Sequence, residues 1–271
     1  MSLLGFVLGA VVGLILALTG AGGGILAVPL LVFGLHLSIM QAAPVGLIAV
    51  GAASAIGAVL GLRDGLVRYR AAALIGITGM FLTPFGLRLA RLIPNAPLMV
   101  TFSVVLAWVA FRMFNQARRV ASGKQDDLAR TQLPCVLHPT EGRLIWTMPC
   151  AWALIGTGAV SGVLSGLLGV GGGFVIVPSL SRHTNLATRS IFATSLAVIA
   201  LVSIGGVTAA AFQGAVAWPI ALPFSLGAIA ALLAGRMIAA RVAGARLQQG
   251  FAAISGVVSI LLLARGMGWL A

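Results

Sequence analysis

From Met1 to Leu62 the chain carries no Asp, Glu, Lys or Arg. A helix crossing a bilayer needs about 20 largely apolar residues, so this stretch alone exceeds two crossings. Only helices and closed barrels span lipid, and the run lacks the alternation of a barrel strand, so it reads as helix. It is no signal peptide, because no basic region precedes it and the apolar run is far too long. The rest of the chain obeys the same constraint. Of 271 residues, 60% are hydrophobic and 8% charged, with a mean hydropathy of +1.13. Soluble domains carry about 25% charged residues, so this chain has too little polar surface to cover itself in water. The sequence specifies an all-α integral membrane protein.

The net charge of +13 does not make it a nucleic-acid binder. Nearly all the cations are Arg and lie between apolar segments, where they meet lipid headgroups and set orientation by the positive-inside rule. No basic nucleic-acid module is recognisable. The acidic residues are Asp64, Asp126, Asp127 and Glu141, all outside the apolar segments. Proton and cation pathways mark themselves by intramembrane carboxylates, so their absence disfavours a cation carrier. Cys135 and Cys150 read as two unpaired thiols, and no metal-ligand spacing surrounds them. His36, His138 and His183, each beside a segment end, read as solvated or interfacial. No cofactor and no metal is implied. A membrane enzyme would need a cluster of intramembrane acids, bases or nucleophiles, and none is present.

Apolar segments run over 3–34, 40–62, 71–91 and 97–115, then over 145–181, 190–212, 216–235 and 248–268. They divide the chain into a first membrane repeat (1–115), a polar linker (116–144) and a second membrane repeat (145–271). The two halves are copies at an offset of 149 residues. Gly9, Gly13, Gly20, Gly22, Gly23, Gly24, Gly57, Gly65 and Gly86 fall on Gly158, Gly162, Gly169, Gly171, Gly172, Gly173, Gly206, Gly214 and Gly235. Pro29 falls on Pro178 and Leu47 on Leu196. Repeats of this kind are a hallmark of secondary transporters.

The copies agree best at Gly20-Ala21-Gly22-Gly23-Gly24 and Gly169-Val170-Gly171-Gly172-Gly173. Each glycine costs a helix nearly 1 kcal/mol relative to Ala, so these runs break their segments. Unwound backbone at membrane depth is tolerated only where it lines a cavity or is buried in protein. A new helix is expected to start near Gly24 and near Gly173, its free N–H groups and positive dipole end suited to an anion. Isolated glycines such as Gly9 and Gly57 read as packing devices. Neither run continues into the Lys and Ser or Thr of a nucleotide loop.

The paired glycine runs, each followed by a Pro, resemble the TauE/SafE sulfite exporter family, also called the toluene-sulfonate uptake permease family. So do the stretch Ala193-Thr194-Ser195-Leu196 and the four-plus-four segment pattern. The resemblance covers nearly the whole chain outside 116–144. It implies transport of sulfite, organosulfonates or related organic anions. The first repeat departs from it, with Ala43-Pro44-Val45-Gly46-Leu47 at the matching place, so the second half supplies more hydroxyls. The expected substrate site comprises Thr19, Gly20, Gly22, Gly23, Gly24, Gly169, Gly171, Gly172, Gly173, Thr194 and Ser195. The alternatives are a carrier of carboxylates and a non-transporting membrane partner subunit. The expected partners are the bilayer and a small anion, with a homodimer left open.

Orientation follows from the cations. If each broken segment crosses once, the halves are parallel and the arginines divide between both sides. If each turns back at its glycines, the halves are inverted. Arg63, Arg68, Arg70, the 112–143 cluster, Arg182, Arg189, Arg236, Arg241 and Arg246 then share the cytoplasmic side, leaving Arg88, Arg91 and Arg265 outside. The second threading obeys the positive-inside rule far better. It gives two inverted repeats, each a re-entrant hairpin plus three transmembrane helices, in a bacterial inner membrane, with a cytoplasmic linker.

Overall fold

The computed structural model describes residues 2–20, 22–121, 135, 147–214, 216–242 and 245–267. They form α1 (Ser2–Thr19), α2 (Gly22–Gly34), α3 (Ile39–Arg63), α4 (Tyr69–Leu92), α5 (Asn95–Ala121), α6 (Met148–Leu168), α7 (Gly173–His183), α8 (Thr188–Phe212), α9 (Trp218–Val242) and α10 (Ala245–Gly266). Six helices, α3, α4, α5, α6, α8 and α9, are long and apolar enough to cross a membrane. Among the described residues there is no sheet, only an isolated bridge between Cys135 and Thr184.

Local sequence explains the helix starts. Ser38 caps α3 in a reciprocal box: Gln41 N–H donates to Ser38 Oγ and Ser38 N–H to Gln41 Oε1, both at 3.3 Å. Thr147 caps α6 by accepting from Cys150 N–H. The segment read as a linker, 116–144, begins as the last turns of α5, which runs on to Ala121. Apart from these turns and Cys135 it lies outside the described residues.

The offset of 149 carries through to the fold. Added to Ile39–Arg63, the bounds of α3, it gives 188–212, the bounds of α8. The packing partners exchange in the same way. α1 lies along α9 as α6 lies along α4, while α3 pairs with α8 and α5 with α10. The closest approaches are made by small residues. Gly9 and Gly13 of α1 sit against the backbone of Phe224 and Ala228, and Gly158, Gly162 and Gly166 of α6 against Ile75, Gly79 and Thr83. Any side chain at these glycines would strike a carbonyl. Membrane helices, which gain no hydrophobic drive from lipid, associate through such contacts.

At each glycine run the chain reverses. In the first half Gly23, at the start of α2, abuts Val12 and Leu16, while Gly34 at its end abuts Leu8. In the second, Ser161 Oγ donates to Gly172 O and Thr157 Oγ1 meets Ser179 Oγ. Both short helices therefore run back along their predecessors. At 1.5 Å per residue, 13-residue α2 and 11-residue α7 extend about 20 and 16 Å, short of the roughly 30 Å of hydrocarbon.

This reversal sorts the arginines. One end of the bundle gathers the α1, α3, α5 and α9 starts with the α2, α4, α8 and α10 ends; it holds Arg88, Arg91 and Arg265, the last over the Phe33 ring. The other end holds Arg63, Arg68, Arg70, Arg112, Arg182, Arg189 and Arg236.

One expectation is corrected. Cys135 and Cys150 are not unpaired thiols; they form a disulfide, with Cα atoms 5.0 Å apart. Cys135 is brought there by docking of its own backbone, since its N–H donates to His183 O at the end of α7. Both sulfurs are buried.

Candidate functional site

The two glycine runs, far apart in sequence, meet halfway along the crossed helices α3 and α8. A Cβ on Gly24 would stand 2.5 Å from Val170 O and 3.3 Å from Val50. One on Gly171 would stand 2.9 Å from Ile199 and 3.4 Å from the same Val50. Gly51 of α3 faces Ser203 of α8 at this crossing.

Backbone geometry explains why glycine fills these places. Gly169, Gly171 and Gly172 have φ of +71°, +73° and +70°, and Gly20 has +73°. Only glycine adopts this left-handed region freely. Gly169 closes α6, its N–H donating to Ser165 O. Gly172 is the N-cap of α7 and supplies no side-chain cap, so Gly173 opens a helix whose first N–H groups lack side-chain acceptors from the cap. Gly22 opens α2, and Gly23 packs on α1. The helix starts expected near Gly24 and Gly173 thus fall at Gly22 and Gly173.

The expected hydroxyls are present but occupied. Thr19 Oγ1 donates back to Ile15 O at 2.7 Å. Ser195 Oγ donates to Gly20 O and Phe192 O, tying α8 to the first break. Thr194 Oγ1 accepts the Arg68 N–H at 3.1 Å, holding the α3–α4 turn onto α8. All three residues are buried.

A cavity of about 400 Å³ reaches this region from one end. Gln41, Ala43, Pro44, Leu87, Arg91, Gly166, Leu167, Gly214 and Ala217 line it. Its floor is next to the second break, because Ala43 lies directly against Gly169. Arg91 contributes a cation to its wall.

Sequence reasoning passed over two residues. Ser54 and Ser203 are buried, and neither Oγ has a hydrogen-bond partner. The signal was readable, for the 149-residue offset sends Ser54 onto Ser203.

With this geometry in hand, the chain can be set beside known proteins. A family described as Sulfite exporter TauE/SafE matches residues 5–262. A probable membrane transporter protein of Xylella fastidiosa strain 9a5c is 30% identical over 267 residues, covering 95% of this chain and 93% of the relative. A probable membrane transporter protein of Methanocaldococcus jannaschii is 26% identical over 272 residues, with the same coverage. No solved structure matches.

Proposed function

The chain belongs to the sulfite exporter TauE/SafE family and is a multi-pass membrane transporter; from that premise we propose that it is a secondary carrier of small anions, with sulfite or an organosulfonate as cargo. The observation that carries the reading is the meeting of the two breaks beside the uncapped start of α7. Backbone N–H groups at a helix start, reinforced by its dipole, hold an anion without any buried cation. Gly20, Gly22, Gly23, Gly24, Gly169, Gly171, Gly172 and Gly173 form that cradle. Thr19, Thr194 and Ser195 brace it. Neutral ligation also lets the cargo leave, as a carrier requires.

Alternating access arises as one half moves against the other around the breaks. The exchange of packing partners under the offset supports this, as does a cavity that reaches the breaks from one end. The halves are inverted repeats with re-entrant α1–α2 and α6–α7 hairpins. The arginine-rich end, with the 116–144 linker, faces the cytoplasm of a bacterial cell, and the N-terminus lies outside.

Proteoliposomes loaded in turn with labelled sulfite, taurine, a carboxylate and an organic cation test the reading. Flux of sulfite or the sulfonate is expected. Flux of the cation with none of the anions overturns it. Flux of the carboxylate alone keeps the mechanism and removes the sulfur assignment.

A further inference from the structure

Buried hydroxyls without partners are costly, because a polar group taken from water must be repaid by a hydrogen bond. This protein keeps one at its centre. Ser203 is 2% exposed and its Oγ bonds to nothing in the protein. The same oxygen lies 3.0 Å from where a Cβ of Gly51 would stand and 3.6 Å from that of Gly171. It therefore looks onto the second break, beside the helix start that no side chain caps. Its offset partner Ser54, on α3, is 0% exposed and equally unpartnered. Ser195, by contrast, has its proton committed to Gly20 O and Phe192 O, and Thr194 Oγ1, which accepts the Arg68 N–H, is held at the α3–α4 turn.

We propose that Ser203 is a substrate ligand: its hydroxyl donates to an oxygen of a small tetrahedral or pyramidal oxyanion held at the Gly171–Gly173 break. The inference rests on the transport reading above and names a residue of that site. It moves the hydroxyl contribution from Thr194 and Ser195 to a residue one helix face away. The unmet hydrogen bond belongs to the cargo. Ser54 occupies the equivalent place in the other half and is the candidate for a second contact as the halves exchange roles.

Ser203→Ala separates this from a structural role. A hydrogen bond to a charged group is worth roughly a tenfold change in affinity or more, so KM for sulfite in proteoliposomes should rise by at least about tenfold. The melting temperature in detergent should stay level or rise, since the change removes an unsatisfied polar atom. Ser203→Thr, which keeps the hydroxyl, should recover most of the loss. Ser195→Ala supplies the contrast, expected to lower the melting temperature with a smaller change in KM. Wild-type flux with an unchanged KM in Ser203→Ala overturns the assignment and leaves transport standing. An alanine variant that raises KM while destabilising the protein as much as Ser195→Ala also overturns it. Wild-type protein that moves no anion removes the transport reading and this inference together.

Discussion

Around the cavity stand Gln41, Ala43, Pro44, Leu87, Gly214 and Ala217; their offset partners at the other end are Ser190, Phe192, Ala193, Arg236, Gly65 and Arg68. The backbones agree, but the side chains do different things. Ser190 Oγ donates to Leu66 O in the α3–α4 turn, whereas Gln41 spends its side chain on the cap of its own helix. Thr194 holds the Arg68 N–H, and its partner Val45 has nothing to hold with. Arg236 pairs with Asp64, where the equivalents are Leu87 and Gln213. Phe192 covers Gly20, while only Ala43 covers Gly169. One end is thus tied by an ion pair and two hydrogen bonds and filled by a ring. The other lacks all four and holds a cavity of about 400 Å³. A repeat can therefore make its two ends differ through a handful of side chains, without changing its helices.

The strongest test transplants the ring. Ala43→Phe copies Phe192, whose position over a glycine at φ +73° resembles Ala43 over Gly169 at +71°. The ring should fill the cavity floor and cut anion flux by at least about tenfold, with membrane insertion unchanged. Undiminished flux would mean that the cavity lies off the route.

A smaller effect is expected from the ion pair. Its side chains are 34% and 50% exposed, and such pairs contribute at most about 1 kcal/mol, a twofold to fivefold bias. With Cys135 and Cys150 replaced by Ser, single cysteines at Pro44 and Ala193 report on the two ends. The first should react quickly with a soluble thiol reagent and the second slowly. Arg236→Gln should speed the second about twofold to fivefold, and the exchange Asp64→Arg with Arg236→Asp should restore it. Equal rates at both sites in the parent protein would abolish the contrast between the ends.

The smallest effect belongs to Ser190→Ala, which leaves Leu66 O without its partner. A loss of about 1 kcal/mol is expected, lowering the melting temperature by roughly 2–4 °C. Gln41→Ala, which removes a helix-cap bond and shortens one side chain of the cavity wall, should leave cavity-end reactivity unchanged. A change there would show that Gln41 also guards the cavity.

Much of this was legible in the sequence because lipid leaves few choices. The segments read as 40–62 and 190–212 became Ile39–Arg63 and Thr188–Phe212, for each apolar run stops where charge or a turn begins. The breaks were legible because clustered glycine is costly inside a helix, at nearly 1 kcal/mol each relative to Ala. The free hydroxyls were not. Thr194 and Ser195 sit in a motif, but their engagement depends on partners 126 and 175 residues away. Ser54, Ser165, Ser225 and Ser255 are unpartnered as well, and Ser203 stands out among them by its place against Gly51 and Gly171. The disulfide was hidden for a similar reason. Its cysteines are 15 residues apart, yet they meet because the chain at Cys135 lies against His183, on a different helix.

That crosslink makes the protein a compass. It lies at the arginine-rich end, joining the first turn of α6 to Cys135, whose backbone docks on the end of α7. Glutathione holds thiols reduced on the cytoplasmic face, while the opposite face favours the bond. The redox state of one cysteine pair, trapped by alkylation in living cells, therefore points to the compartment that this end faces. Reduced thiols in cells keep the arginines inside; the bond that the structure holds, if intact in cells, turns the whole molecule over.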